Sequence, residues 1–277
     1  MESLVSTQWL AEHLGEPDLV VVDSSWHMPS TGRRGRDEYM QAHIPGARFL
    51  DIDAVSDTSS PLPHMLPSAE DFELAMEAIG VGRHDGIVVY DNSPLHSAAR
   101  GWFTLRHFGA RRVAILDGGL QKWVAEGQPT ESGEAEPRAA SFDAAQRAEE
   151  VVTKEQILAR PGRALIDARG TPRFEGTEPE PRPELASGHI PGARNIPYSA
   201  LYNDDGTFRS PDELRALFDK AGADAGQPFV ASCGSGVTAA ALIFAAHLLG
   251  SDAGQLYDGS WTEWGADPEA PKARGPA

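Results

Sequence analysis

The sequence predicts an α/β protein made of two tandem domains, each a mainly parallel sheet flanked by helices. Three observations carry that expectation. Short β-branched apolar runs alternate with helical stretches along the chain. The hexapeptide His43-Ile44-Pro45-Gly46-Ala47-Arg48 recurs as His189-Ile190-Pro191-Gly192-Ala193-Arg194. A length of 277 residues is too great for one average domain and suits two.

The strand candidates are LVVVD, GIVVYD and VAIL in the first half, and ALID and PFVAS in the second. Runs this short and this apolar read as parallel strands buried on both faces. Between them, a helix over Ser68–Ile79 is opened by a Ser-Ala-Glu-Asp cap signal, and one over Ser210–Ala221 by Ser-Pro-Asp-Glu. A third covers Ala239–Gly250. The repeat extends beyond the hexapeptide. Val20-Val21-Val22-Asp23 matches Leu165-Ile166-Asp167, and Asp117-Gly118-Gly119-Leu120-Gln121-Lys122-Trp123 matches Asp258-Gly259-Ser260-Trp261-Thr262-Glu263-Trp264. Residues 128–150 are polar with Pro, Gly and Glu, a linker composition. The expected organisation is therefore a domain over 1–127, a linker over 128–150 and a second domain over 151–277. The tail GADPEAPKARGPA is expected to fray or to lie along a surface.

Composition narrows the function. Acidic residues outnumber basic ones 41 to 24, a formal net charge of -17. That balance argues against nucleic acid, whose binding rests on Lys and Arg, and against an anionic membrane surface. No basic stretch followed by an apolar run opens the chain, and the most apolar segment, Ala239–Gly250, is far too short to span a bilayer. A cytoplasmic location is the expectation. The single cysteine, Cys233, excludes an internal disulfide and a cysteine zinc cluster. It is either a buried structural thiol or a lone reactive one.

Its setting favours reactivity. Cys233-Gly234-Ser235-Gly236-Val237-Thr238 lies between a strand and a helix, where ligands bind in α/β sheets. The amides and positive pole of the helix start favour a thiolate. The glycines let backbone N–H groups turn inward as an anion nest large enough for a persulfide. A cysteine serving only as a small hydrophobe needs none of this. Two other readings fail. Gly234-Ser235-Gly236-Val237-Thr238-Ala239 fits a dinucleotide fingerprint in outline, but too little chain follows to complete a nucleotide site. A Cys-x5-Arg phosphatase needs arginine where Ala239 stands.

Together, the tandem HIPGA motifs, the DGG and DGS closings that end in tryptophan, and the CGSGVT loop resemble the two-domain rhodanese family over about residues 3–265. The loop looks like that of the family's 3-mercaptopyruvate sulfurtransferase branch. The resemblance implies an enzyme in which Cys233 takes a sulfane sulfur from a small anionic donor. It then passes the sulfur to a thiol, cyanide or a thioredoxin-like acceptor, with no metal or organic cofactor. Aligned on the preceding strand, Asp91 stands where Cys233 does, so the first half is expected to be catalytically inactive.

The stretch Arg173–Arg182 matches the family's substrate-binding segment and implicates Arg173 and Arg182 as carboxylate clamps. On composition alone they would be surface arginines neutralising Glu175, Glu178 and Glu180. Gly234, Gly236, Val237 and Thr238 are expected to contact the donor. Thiosulfate-preferring members of the family place cationic side chains after the cysteine, whereas Gly234 and Ser235 are neutral. The resemblance therefore implies a preference for a monoanionic carboxylate over dianionic thiosulfate. The resemblance also groups Ser235 with Asp53 and His64 as an acid–base relay. Occurrence in both halves marks His43 and His189, Asp23 and Asp167, and Trp123 and Trp264 as framework. Two alternatives stay open: a thiosulfate:cyanide sulfurtransferase, and a non-catalytic persulfide carrier module.

Overall fold

The computed structural model describes residues 1–159 and 164–277. They form two compact units. The first contains β1 (Leu4–Val5), α1 (Thr7–His13), β2 (Leu19–Asp23), α2 (Gly35–Gln41), β3 (Arg48–Phe49), α3 (Ala69–Ala78), β4 (Gly86–Tyr90), α4 (Ala98–His107), β5 (Arg112–Leu116) and α5 (Gly119–Ala125). Its strands lie in the order β1-β5-β4-β2-β3, with every pairing parallel. All five residues of β4 are buried, as expected of a central strand covered on both faces.

The second unit repeats the plan. It contains β6 (Val151–Val152), α6 (Lys154–Leu158), β7 (Leu165–Asp167), α7 (Thr171–Glu175), β8 (Arg194–Asn195), α8 (Pro211–Lys220), β9 (Phe229–Ser232), α9 (Ala239–Leu248), β10 (Gly254–Tyr257) and α10 (Ser260–Trp264). The order β6-β10-β9-β7-β8 is the same, and again every pairing is parallel. The sequence expectation of a mainly parallel sheet is met by two wholly parallel ones.

Local chemistry sets the element ends. The Ser68 hydroxyl accepts from Asp71 N–H to open α3, and Ser210 and Glu213 form a reciprocal capping box at α8. Both helices end one residue short of the expected boundary, at Ala78 and Lys220. α9 stops at Leu248, two residues early, because the Gly250 N–H turns back to the His247 carbonyl.

Motifs shared by the halves do the same work in each. His43 Nδ1 bonds the Tyr39 carbonyl and its ring stacks on Tyr39; His189 Nδ1 bonds the Phe174 carbonyl and stacks on Phe174. The Trp123 indole donates to the Pro129 carbonyl and the Trp264 indole to that of Pro271. These are packing pins.

Chain order and compactness part company at three segments. Thr58–Met65 belongs to the second unit and Asn203–Phe208 to the first. Within the stretch of linker composition, residues up to Arg147 pack on the first unit. Phe142 is buried there edge-on to Phe72, and the Arg138 guanidinium donates to the Gly80 and Pro17 carbonyls. A polar segment with one aromatic anchor and satisfied arginines can lie along a surface without a secondary structure of its own. In the tail, His189 and Ala273 form an antiparallel bridge, so the end of the chain runs along the second unit.

Candidate active site

β9 ends at Ser232 and α9 begins at Ala239, so the six residues Cys233–Thr238 form the whole connection. Cys233 is 2% exposed. Its N–H donates to Ser260 Oγ at 3.1 Å, and its carbonyl accepts from Trp261 N–H at 3.0 Å. Ser260 holds that position with φ at 48°, a left-handed conformation uncommon for a residue with a side chain. Its hydroxyl donates to the Tyr257 carbonyl. Gly236 turns the loop with φ at 78°. Among the described residues, no group accepts the N–H of Gly234, Ser235, Val237 or Thr238. Buried amides are almost always paired, so a row of open ones beside a thiol is a ready anion cradle.

The cationic side of the site comes from α7 and the loop after it. Arg173 Nη2 lies 3.3 Å from where a Cβ on Gly234 would stand, placing this guanidinium against the cysteine loop. Arg173 is held by Glu180, whose carboxylate also binds Arg169 Nη1 at 2.7 Å. Of the three acids in that stretch, Glu178 is exposed, Glu175 half-buried and Glu180 buried. Glu180 therefore orients Arg173 rather than merely balancing surface charge. Arg182 donates from Nη1 to Thr262 Oγ1 at 3.3 Å.

Ser235 is buried, and its hydroxyl lies 2.9 Å from Nδ1 of His64, which is itself buried. The structure thus brings Ser235 and His64 together in one hydrogen bond. His64 reaches the second unit because Thr58–Met65 belongs to it, and it adopts a positive φ of 62° there. Asp53 lies in the first unit, where the Trp26 indole N–H is shared by both of its carboxylate oxygens at 2.9 and 3.0 Å. Val237 is buried, and Thr238 precedes α9 without a side-chain capping bond.

Sequence reasoning missed four contributors. Arg169 is almost wholly buried, bonded to Asp167 and to the Gly188 carbonyl, with its guanidinium 4.5 Å from the Trp261 ring centroid. The signal was present in the repeat: Asp167-Ala168-Arg169 stands opposite Asp23-Ser24-Ser25, so the arginine belongs to one half only. Tyr198 is close enough to Arg173 and Cys233 for both to act on its phenol, which burial pushes above its ordinary value. Ser260 and Thr262 replace Gly119 and Gln121 of the first half, and both now hold the cysteine loop.

With this geometry in view, comparison with known proteins is decisive. The rhodanese-like domain profile matches residues 6–126 and 150–267. The chain belongs to the rhodanese family. Human 3-mercaptopyruvate sulfurtransferase is 44% identical over 271 residues, covering 95% of this chain and 91% of the relative. A thiosulfate sulfurtransferase from Cricetulus griseus is 41% identical, covering 99% and 96% respectively. Among solved rhodanese folds, the crystal structure of the 3-mercaptopyruvate sulfurtransferase SseA from Escherichia coli superposes with a TM-score of 0.86. It is 40% identical and covers 94% of this chain and 99% of its own. The two sheets of five parallel strands, each flanked by helices, are the rhodanese fold in duplicate. No helix among the described residues is long and apolar enough to cross a membrane.

Proposed function

We propose that this chain is a sulfurtransferase that moves sulfur from 3-mercaptopyruvate to a thiol, cyanide or a thioredoxin-like protein through a persulfide on Cys233. The observation that carries this reading is a buried thiol at the head of a loop whose Gly234, Ser235, Val237 and Thr238 amides have no partner among the described residues, with Arg173 beside Gly234.

In the first half-reaction the Cys233 thiolate attacks the donor sulfur and an S–S bond forms. The C–S bond breaks, and its electron pair goes to carbon as the enolate of pyruvate. The thiol proton of the donor ends on that carbon, and Ser235 with His64 supplies the path for the transfer. The products are pyruvate and Cys233–S–S⁻. The persulfide charge is taken up by the N–H groups of Gly234, Ser235, Val237 and Thr238 and by the α9 N-terminus, aided by the turn at Gly236. In the second half-reaction the acceptor anion attacks the outer sulfur, the S–S bond breaks and the Cys233 thiolate returns. Cyanide thus leaves as thiocyanate and a thiolate as a persulfide.

Arg173 and Arg182 bind the donor carboxylate against a chain of net charge -17. Neutral Gly234 and Ser235 add no cation within the cysteine loop to meet the second charge of thiosulfate, so thiosulfate is the slower donor. Asp53 is assigned to the Ser235–His64 relay on the family resemblance. A single thiol that works only when reduced supports a cytoplasmic location.

Cys233→Ser tests the assignment. Pyruvate release from 3-mercaptopyruvate should fall at least ~10³-fold with the fold retained. The unaltered chain should gain the mass of one sulfur atom on exposure to the donor. Retained turnover in the variant would overturn the reading. Multiple turnovers with a small thiol separate an enzyme from a passive carrier.

A further inference from the structure

We propose that Thr262 is a positioning residue that aims the persulfide cradle and ties it to the donor-binding Arg182. The proposal rests on the reading of Cys233 as sulfur carrier and adds how its loop is held in the working orientation.

The Gly234 carbonyl receives two hydrogen bonds from one residue, Thr262 N–H at 2.9 Å and Thr262 Oγ1 at 2.6 Å. In a trans peptide the carbonyl and the following N–H point in opposite directions. Anchoring the Gly234 carbonyl on Thr262 therefore turns the Ser235 N–H the other way, and that N–H has no partner among the described residues. The preceding peptide obeys the same logic. Trp261 N–H holds the Cys233 carbonyl, leaving the Gly234 N–H directed away and open. The first turn of α10 thus sets two amides of the cradle from behind.

Thr262 Oγ1 has a second duty. It accepts from Arg182 Nη1 at 3.3 Å while donating to Gly234. A cation bonded to a hydroxyl, bonded to a carbonyl, polarises the peptide and strengthens its N–H as a donor to an anion. The donor-binding guanidinium and the sulfur-binding amide are joined by this one side chain, which is 8% exposed.

The first half shows that this grip is not general framework. Leu120 N–H bonds the Asp91 carbonyl just as Trp261 bonds Cys233. At the next position, however, the Asn92 carbonyl accepts from Arg33 Nη2 at 3.0 Å, and Gln121 takes the place of Thr262. The hydroxyl grip belongs to the half that holds the thiol.

Thr262→Val keeps the shape and the backbone N–H but removes the hydroxyl; Thr262→Ser restores it. In the full chain, kcat with 3-mercaptopyruvate should fall about tenfold in the valine variant, the size of one charge-assisted hydrogen bond. KM should change less than about threefold, because Arg182 remains. Alkylation of Cys233 by iodoacetamide at fixed pH, which needs no sulfur donor, should slow as well. The serine variant should return all three to near their starting values. A valine variant that is folded and unchanged in kcat and alkylation, or a serine variant that fails to rescue, would overturn the proposal. If Cys233→Ser itself keeps turnover, the carrier reading fails instead, whatever Thr262 does.

Discussion

The loop after β4 and the loop after β9 occupy equivalent places in equivalent sheets, yet they treat their amides in opposite ways. After β4, Asp91 turns its own carboxylate back on the loop. One oxygen accepts Ser93 N–H at 2.8 Å and the other accepts Ala98 N–H at 2.7 Å, at the first residue of α4. Ser93 Oγ takes Leu95 N–H, and Ser25 Oγ takes Asn92 N–H. Proline stands at 94 and has no N–H to offer. After β9 the loop has no acid of its own, and the amides of Gly234, Ser235, Val237 and Thr238 have no partner among the described residues. The first half fills its loop covalently, with a side-chain carboxyl; the second has a thiol at that place and no such group. The residue that stands in place of the cysteine is thus also the one that occupies the loop amides.

That contrast is broken most directly by moving the thiol. The double variant Cys233→Ser, Asp91→Cys supplies a cysteine at the matching strand end. It should remain at least ~10³-fold below the unaltered enzyme in pyruvate release, because a nucleophile without an oriented anion site and cationic clamp recovers little. The first half has Ser25 where Arg169 stands and lacks the Glu180 bridge that orients Arg173. Recovery to within about tenfold would mean that the thiol alone decides which half works, and that the open amides are incidental.

Asp91 also gives the two halves different responses to pH. Burial pushes its carboxyl up to about 7, against the pull of the Ala98 and Ser93 amides, and Asp23 nearby adds to the rise. Asp23 is itself raised to about 6 by burial. Both groups hold their protons in the folded unit at a pH where the unfolded chain has released them. Their stabilising effect is complete below about pH 4 and is lost as pH rises through 6 and then 7. Asp91→Asn cannot ionise, but it offers one amide a poor partner. In urea unfolding it should be less stable than the unaltered chain at pH 5 and more stable at pH 8, the swing being of order 2–4 kcal/mol. Parallel stability curves for the two proteins across that range would show that Asp91 stays ionised in the fold.

Much of this was readable in the residues. The hexapeptide repeat exposed the duplication, and β-branched runs such as GIVVY became the central strands because central parallel strands must be apolar on both faces. Cys233 stood out by its glycines and the helix beyond. What the sequence hid depends on contacts between distant positions. Arg169 sits in an unremarkable loop, and only folding shows it enclosed by Asp167, Glu180 and the Trp261 ring. Thr262 acts through Gly234, 28 positions away. Within the 128–150 stretch of linker composition, Phe142 and Arg138 secure residues up to Arg147 on the first unit, which polarity alone does not reveal. Glu180 shows the same limit, since its composition is that of a solvated acid and its position is that of a buried bridge.

The finest test of the open loop is a single methyl group. Gly234→Ala places a Cβ 3.3 Å from Arg173 Nη2 and meets nothing else nearby. The contact is with the far end of a flexible side chain, so the guanidinium can yield a few tenths of an ångström while Glu180 still holds it. The Arg173 guanidinium, proposed to bind the donor carboxylate, then shifts slightly and the thiol does not. KM for 3-mercaptopyruvate should rise about two- to threefold with kcat nearly constant, the pattern of an interaction made equally to bound donor and transition state. A fall in kcat with KM unchanged would instead place Arg173 in contact with the charge that develops on the departing enolate. It would then belong with the open amides, as part of the machinery that sets the second half apart from the first.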